Sequence, residues 1–285
     1  MRNALAAAGV VLLFGLPGGA AAQTDCTPDE DSNEARLFAH FSAPLAFSPA
    51  QSPWIYRAGS VQLGLEGTYL PDAGDDIATP TTCRPNKGPE NVNLLFGFPR
   101  PRVGYSLPNG ILLEASWIPP VRLNGVKPNL FAFGVSRTVL LTPGTLFMGR
   151  GHAVIGNIKA PFVCPEEALV NDPARECNGA APSEDTYKPN IFGVELSLAW
   201  PRSGGRFRPY LGGGYNILHP RFQVHFRDRT GFLDNQKVEV NLSRWAVFGG
   251  VTLSPSRLWS FTGEAYATPA DLITGRVRLN VELGR

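Results

Sequence analysis

Residues 192–200 read FGVELSLAW, an alternation of apolar side chains with small or polar ones. Apolar residues occupy every second position, and Glu195 occupies one of the positions between them. A repeat of two places successive side chains on opposite faces of a β-strand. One face of this strand is therefore apolar along its length, and the glutamate lies on the other face.

The same alternation recurs along most of the chain. Ten candidate strands follow from it: 54–70, 96–107, 110–119, 128–141, 144–160, 189–201, 206–222, 237–254, 257–267 and 273–283. In two of them the apolar set changes parity, around Pro99 and Pro101 in one and near Ser243 in the other. A β-bulge near Ser243 would account for the second change.

The links between these strands alternate in length. Tight turns occur at 108–110, 142–144, 203–205 and 255–257, and longer polar links lie between them at 71–95, 120–127, 161–188 and 223–236. Transmembrane β-barrels have this asymmetry, with short periplasmic turns and longer extracellular loops. The apolar runs of about nine residues also match the length of a tilted strand that crosses a bilayer.

Composition and the first residues point to an exported β protein. The chain has 285 residues, of which 43% are hydrophobic and 18% charged, and its net charge of +2 gives no electrostatic case for nucleic acid. Residues 1–22 carry Arg2, an apolar stretch and an Ala-rich cleavage site, as a signal peptide does. We expect a periplasmic N-terminal extension at 23–53, a barrel at 54–285 and no transmembrane helix after cleavage.

These patterns predict an all-β fold, a transmembrane antiparallel up-and-down barrel of about ten strands (8–12) with an N-terminal extension. A soluble β-sandwich also alternates, but it would explain neither the two link lengths nor the placement of tryptophans at strand ends. Two aromatic girdles are expected, a periplasmic one and an outer one. The periplasmic girdle would hold Trp54, Trp200 and Trp259, and the outer one Trp117 and Trp245.

Three segments resemble bacterial outer-membrane β-barrel proteins of the small OmpA-like or general outer-membrane-protein type: RFRPYLGGGYNI (206–217), WAVFGGVTL (245–253) and GRVRLNVEL (275–283). The resemblance covers about 54–285 and is architectural. It implies a location in the cell envelope of a Gram-negative bacterium, porin-like architecture, and outer-membrane lipid and the barrel-assembly machinery as partners. Such barrels commonly end in an aromatic residue that the machinery reads, whereas this chain ends in Leu283-Gly284-Arg285.

Charged residues on the polar faces are expected to point into the lumen. The register across the last hairpin brings Glu264 near Arg276 and Arg278, and barrel closure brings Glu66 near the same arginines. We therefore predict a lumenal ion-pair cluster of these four residues. The other inward-facing charges are Glu114, Glu195 and Arg208. The cluster would brace the barrel or line a narrow polar pore, and what passes or binds is not evident from the sequence.

The cysteines allow disulfides in an exported protein. Cys164 and Cys177 flank one polar segment and are expected to pair, whereas Cys26 and Cys83 could pair or stay free. No Cys or His spacing matches a metal site, and no metal or cofactor is expected.

No catalytic motif is convincing, so the chain is not expected to be an enzyme. The alternative is a hydrolase- or acyltransferase-type barrel, with His219 or His225 near Asp228 and Asp234, or His219 facing the first loop's Asp72, Asp75 and Asp76. A further alternative is a surface-binding barrel that uses its long loops, especially 161–188.

Overall fold

The computed structural model describes residues 25–85 and 87–284, and within them ten long antiparallel strands form a closed barrel. These strands are β1 (Val61–Tyr69), β2 (Gly97–Leu107), β3 (Ile111–Ile118), β4 (Lys127–Thr142), β5 (Thr145–Ala160), β7 (Ile191–Ala199), β8 (Phe207–Leu218), β13 (Leu242–Leu253), β14 (Trp259–Thr268) and β15 (Leu272–Leu283). Neighbours in the chain pair with each other, and β15 pairs with β1 from Val61–Leu283 to Thr68–Arg276. The predicted barrel of about ten strands is confirmed. The predicted signal peptide, 1–22, lies outside the described residues.

The two ends of the barrel differ. At one end, here called the base, lie the short connections and the beginning of β1 and end of β15. At the other end, here called the mouth, lie the longer connections and the short hairpin link between β14 and β15. The mouth connections carry five short strands: β6 (Asp185–Lys188), β9 (Arg221–Gln223), β10 (Phe226–Arg227), β11 (Leu233–Asp234) and β12 (Lys237–Glu239). Of these, β6, β9 and β12 continue the sheet beyond the mouth end of β5.

The outer surface of the barrel is apolar. In β7, Val194 and Leu196 are 62% and 59% exposed, whereas Glu195 between them is 2% exposed. This polarity is the reverse of a soluble barrel, which buries its apolar face, and is the one that a bilayer favours. None of the helices in the described ranges is long and apolar enough to cross a membrane.

Helix α1 and the residues that follow it lie inside the barrel, which corrects the expected periplasmic extension at 23–53 for this part of the chain. Helix α1 (Asn33–Leu45) begins after Ser32, whose Oγ accepts from the Ala35 N–H at 3.1 Å, and it fills the mouth. Residues 46–54, here called the lumenal segment, then run towards the base. Their Ala, Phe, Pro and Ser side chains are small or apolar enough to be enclosed. A second helix, α2 (Asp75–Ala78), belongs to the link between β1 and β2.

The parity changes in the sequence reflect a change in the barrel's interior rather than a bulge. The register of β13 against β8 is continuous from Leu242 to Leu253, so the expected bulge near Ser243 is absent from this pair. Val238, Val240 and Leu242 are buried against α1 at the mouth. Nearer the base, polar side chains occupy most inward positions, and the apolar set moves to the outer face.

Candidate functional site

A layer of paired charges crosses the lower lumen. It comprises Glu66, Arg100, Arg102, Glu114, Arg150, Glu195, Glu264, Arg276 and Arg278, here called the ion-paired layer, and every member is buried. Alternate positions on seven strands of the barrel direct these side chains inward. Ionised groups so far from water need partners, because an isolated buried charge costs several kcal/mol.

Glu114 is the most connected carboxylate of the ion-paired layer. It lies 2.9 Å from Arg150, 3.0 Å from Arg278 and 3.4 Å from Arg102, measured between side-chain nitrogen and oxygen atoms. These three arginines come from β5, β15 and β2, so one carboxylate on β3 joins strands from several parts of the wall.

The structure brings the predicted lumenal residues together, with a different set of partners. Glu264 is paired with Arg276 at 3.3 Å, as the register of the last hairpin implies. Glu66 lies opposite Arg278 in the β1–β15 register. Its carboxylate, however, pairs with Arg102 at 2.7 Å and Arg100 at 3.4 Å, while Arg278 reaches Glu114 instead.

Two other predicted residues have partners that the sequence did not indicate. Glu195 lies 3.3 Å from Arg150 and 3.6 Å from the Nδ1 of His152, on the neighbouring strand β5. Arg208 stands apart from the ion-paired layer, nearer the base. It donates to the Ser254 Oγ at 3.0 Å, and its guanidinium lies 4.5 Å from the ring of Trp54.

Arg100, Arg102, Arg150 and His152 were missed by the sequence reasoning. Arg100 lies directly opposite Glu66 in the β1–β2 register, so a cross-strand search for opposite charges would have found it. Pro99 and Pro101 interrupt the alternation of apolar and polar residues in β2, so its inward face was not assigned. In β5 neither face is consistently apolar, so Arg150 and His152 were not assigned to the lumen.

The arginines of the ion-paired layer also hold the N-terminal chain. Arg276 donates to the carbonyl of Ala43 at 2.9 Å and Arg100 to that of Leu45 at 2.8 Å, which satisfies oxygens at the C-terminus of α1. Positive charge at this end also complements the helix dipole. Arginine is therefore suited to the point where α1 ends and extended backbone begins.

The lumenal segment continues the same pattern of contacts. Arg102 donates to the carbonyls of Ser48 at 2.6 Å and Pro49 at 2.9 Å, and Arg150 donates to that of Phe47. The Phe47 ring lies 4.0 Å from the Arg102 guanidinium and 4.8 Å from that of Arg150. These contacts fill the lumen at this level with protein.

Four of the five girdle tryptophans lie on the outer surface. Trp117 and Trp245 are exposed near the mouth ends of β3 and β13, and Trp200 and Trp259 are exposed at the base. The assignment of Trp54 to a girdle is wrong. Its ring lies inside, against Arg208, because the residues before β1 belong to the lumenal segment.

Above the ion-paired layer lies an apolar cavity, here called the mouth cavity. Its volume is about 140 Å³. α1, the link between β1 and β2, and the mouth ends of the barrel strands all contribute to its walls. Its lining includes Phe41, Ile77, Ala78, Phe98, Ile118 and Ile158. Glu34, Arg84 and Glu90 supply charged groups at its boundary.

The link between β1 and β2 is fastened over the mouth cavity. A disulfide joins Cys83 of this link to Cys26, and a second one joins Cys164 to Cys177 within the link between β5 and β6. The Glu34 carboxylate accepts backbone N–H groups from Thr82 at 2.9 Å and Cys83 at 2.8 Å. Burial raises the pKa of Glu34, but these backbone hydrogen bonds outweigh burial and hold the pKa below its usual value.

Glu90 of the same link has the opposite shift. Burial raises the pKa of Glu90 to about 7, despite its contact with the ammonium group of Lys87. The two glutamates that border the mouth cavity therefore change charge in different pH ranges.

The residues considered for catalysis have other contacts. The Nδ1 of His219 lies 2.7 Å from the Asn241 Oδ1, and the Asp228 carboxylate accepts from the Thr230 hydroxyl at 2.7 Å within its own turn. Asp234 lies 2.9 Å from Arg84. The backbone N–H of His225 donates to Asp185. These contacts build the mouth links rather than a nucleophile and base pair.

Comparisons with known proteins identify barrels of low similarity. No family model and no curated protein matches the chain. Among solved structures, Ail, the attachment invasion locus protein of Yersinia pestis, aligns with a TM-score of 0.32 and 8% identity over 80% of this chain and 100% of that chain. Neisserial surface protein A aligns with a TM-score of 0.29 and 9% identity over 79% and 95%. The toluene transporter TodX of Pseudomonas putida aligns with a TM-score of 0.33 and 10% identity over 86% and 71%.

Proposed function

We propose that the protein is an integral outer-membrane β-barrel, closed by its own N-terminal chain, that binds a hydrocarbon group in the mouth cavity. The observation that carries the proposal is an apolar cavity directly above a layer of charges that blocks the lumen. An apolar group would be stabilised in the upper compartment and rejected by the lower one. Binding at the mouth, without passage along the barrel axis, follows from this arrangement.

The size and lining of the mouth cavity suit a small hydrocarbon. Its volume of about 140 Å³ is close to that of an engineered apolar cavity in another protein, roughly 150 Å³, that stays dry and binds benzene. Each buried CH₂ group is worth about 0.8 kcal/mol, so a few methylenes suffice for measurable binding. The charged groups of Glu34 and Arg84 already have protein partners, which leaves hydrophobic contact as the main interaction.

A narrow pore is the other reading of the lumenal charges. It would require water-filled space beside Glu114 and its arginines, whereas Phe47 and the backbone of the lumenal segment occupy that level. We therefore expect no stepwise conductance from the folded protein in planar bilayers, and regular channel events would favour the pore instead.

Binding can be tested by NMR on protein in nanodiscs with labelled isoleucine methyl groups, titrated with n-octane. Ile77, Ile118 and Ile158 line the mouth cavity, whereas Ile155 and Ile273 are exposed on the outer wall. We expect the three cavity methyls to shift and saturate. The two wall methyls should change only linearly, as octane dissolves in the bilayer.

A cavity-filling variant, Ala78→Phe, supplies the matched control, because Ala78 is buried in the cavity wall. It should abolish the saturating shifts of Ile118 and leave the spectrum of Ile273 unchanged. Equal, unsaturated changes at cavity and wall methyls of the unaltered protein would contradict the proposal, whether or not the variant folds.

A further inference from the structure

The pairing of β2 with β3 stops before the mouth. The ladder runs from Leu107–Ile111 to Arg102–Ser116, yet β2 continues to Gly97 and β3 to Ile118. On its other edge, β2 is paired with β1 as far as Tyr69–Gly97. Residues 97–101 of β2 therefore have a partner on one side and an unpaired edge on the other. At about 3.3 Å per residue, this edge is roughly 16 Å long.

Prolines explain the interruption. The Ser106 N–H donates to the Ser60 carbonyl, and the Ser106 carbonyl accepts from the Gly59 N–H, both on the β1 side. The backbone N–H and C=O groups of even-numbered residues of β2 therefore point towards β1, and those of odd-numbered residues point towards β3. Pro99 and Pro101 are odd-numbered. They remove N–H groups only from the edge that faces β3 and leave the β1 ladder intact.

The chain on the β3 side of this interruption also carries a proline, Pro119, directly after β3. Extending the register beyond Arg102–Ser116 would place Pro101 opposite Trp117 and Pro99 opposite Pro119. Three of the four N–H groups needed to close these two pairs are absent, because the residues are prolines. An unpaired edge in a bilayer is normally costly, since every exposed N–H lacks a partner. Here most of that cost is absent, because three of the four residues are prolines and have no N–H.

This interrupted edge, here called the β2–β3 seam, borders the mouth cavity. Phe98 on β2 and Ile118 on β3 flank the seam and line the cavity. On the outer surface the seam lies beside Trp117, which is 49% exposed. An exposed tryptophan near a barrel end is typical of the level where acyl chains meet lipid headgroups.

We propose that the β2–β3 seam is a lateral passage through which an alkyl chain of a membrane lipid moves between the bilayer and the mouth cavity. The proposal rests on the proposed function, because it needs a cavity that accepts hydrocarbon. An alkyl chain fits the route chemically: prolines and aromatic or aliphatic side chains line both ends, and the bilayer beside the seam supplies such chains.

Photolabelling by a lipid tests this route. Phosphatidylcholine that carries a diazirine within one acyl chain is incorporated into nanodiscs with the protein and photolysed, and the labelled peptides are identified by mass spectrometry. In the unaltered protein we expect adducts on Phe41 and Ile158 inside the cavity. Adducts are also expected on Phe131 and Ile155 of the outer wall, which serve as the internal reference.

The decisive variant is Pro99→Ala/Pro101→Ala, which restores donors on the β3-facing edge. Each added hydrogen bond stabilises the closed seam by roughly 1 kcal/mol, about fivefold in the opening equilibrium, so cavity adducts should fall at least fivefold. Adducts on Phe131 should not change. Pro209→Ala is the matched control: Pro209 lies near the base of β8 and faces β7, as its carbonyl accepts from Trp200, so cavity labelling should stay normal.

A second probe separates this proposal from the proposed function. A free octyl diazirine added from water should label the cavity of both the unaltered protein and the double variant. If the lipid probe labels the cavity equally in both proteins, the seam is not the route, although the cavity still binds. If neither probe labels the cavity of the unaltered protein, the proposed function and the passage both fail. If the double variant does not fold, Pro101→Ala alone should give a partial decrease in lipid labelling.

Discussion

The same strands line the lower lumen and the mouth. Their inward-facing side chains, however, are charged in the lower lumen and apolar at the mouth. The N-terminal chain explains the difference. Within the mouth it is a helix, which satisfies its own backbone hydrogen bonds and presents side chains such as Phe38 to the wall. Lower down it is extended and lacks a strand partner, so its carbonyls need donors from the wall. The conformation of the enclosed chain therefore determines the polarity of the barrel around it.

The ion-paired layer depends on charge in a way that the mouth does not. Five arginines are matched by four glutamates, with the backbone carbonyls of residues 43–49 as additional acceptors. Removing one carboxylate leaves buried guanidinium groups without a counter-charge. Removing apolar atoms at the mouth would leave only a larger cavity.

The largest effect is expected for Glu114→Gln, because Glu114 is paired with three arginines. Breaking a buried ion pair from one side costs about 3–5 kcal/mol. The free energy of unfolding, measured by urea titration in lipid vesicles, should fall by that amount. Glu239→Gln is the control, since Glu239 pairs with Arg221 at the partly exposed rim and its loss should cost less than about 1 kcal/mol.

Equal effects of the two substitutions would contradict the view that the ion-paired layer holds the lumenal segment. If Glu114→Gln lowers stability while NMR shows Phe47 in its original position, the ion-paired layer stabilises the barrel wall and does not hold the lumenal segment.

The sequence was sufficient for the wall of the barrel and insufficient for its contents. Strand alternation and link lengths depend on local chemistry, which is why β7 and the tight turns could be located. The position of residues 46–54 depends on contacts with strands more than 50 residues away, such as Arg102 with Pro49. Ser48, Pro49 and Trp54 carry no local sign of being enclosed.

The ion-paired layer was partly predictable for the same reason. Glu264 and Arg276 are joined by a short hairpin, so their register follows from the turn. The contact of Arg278 with Glu114 crosses the lumen, and no pairing rule along the wall gives it. The walls of the mouth cavity are formed by α1 and the link between β1 and β2 together with the strands. Neither segment has a sequence motif that would predict this contact.

An intermediate effect is expected at the mouth when the Cys26–Cys83 disulfide is removed. The bridge closes a loop with a sequence separation of 57 residues. Such a constraint is typically worth about 2–4 kcal/mol. Cys26→Ser/Cys83→Ser should lower stability by that amount and increase hydrogen exchange in the β1–β2 link, while the ion-paired layer stays protected.

The matched control is Cys164→Ser/Cys177→Ser, whose bridge has a separation of 13 residues in a different link. Its effect on hydrogen exchange should be confined to that link. If loss of Cys26–Cys83 also exposed the lumenal segment, the mouth and the lower lumen would open as one unit, and the comparison between them would not hold.

The smallest effect is a pH dependence at the mouth. The pKa of Glu34 is lower in the folded protein than the ordinary value of 4.5, so its carboxylate contributes stability above that pH. This contribution decreases as the pH falls below 4.5 and is lost as the pH passes through the folded value. Amide protection of Thr82 and Cys83, corrected for intrinsic exchange, should therefore decrease in acid, and Glu34→Gln should remove that decrease.

Glu90→Gln is the control for this pH dependence, because the raised pKa of Glu90 predicts the opposite sign in another range. Glu90 contributes stability below 4.5, and that contribution is lost as the pH rises through about 7. Substituting Glu90 should therefore leave the decrease in amide protection of Thr82 in acid intact, and it should change amide protection only between pH 4.5 and about 7.

Both titrations act on the link above the mouth cavity. A matching loss of protection at Phe47 below pH 4.5 would show instead that acid loosens the enclosed chain throughout its length.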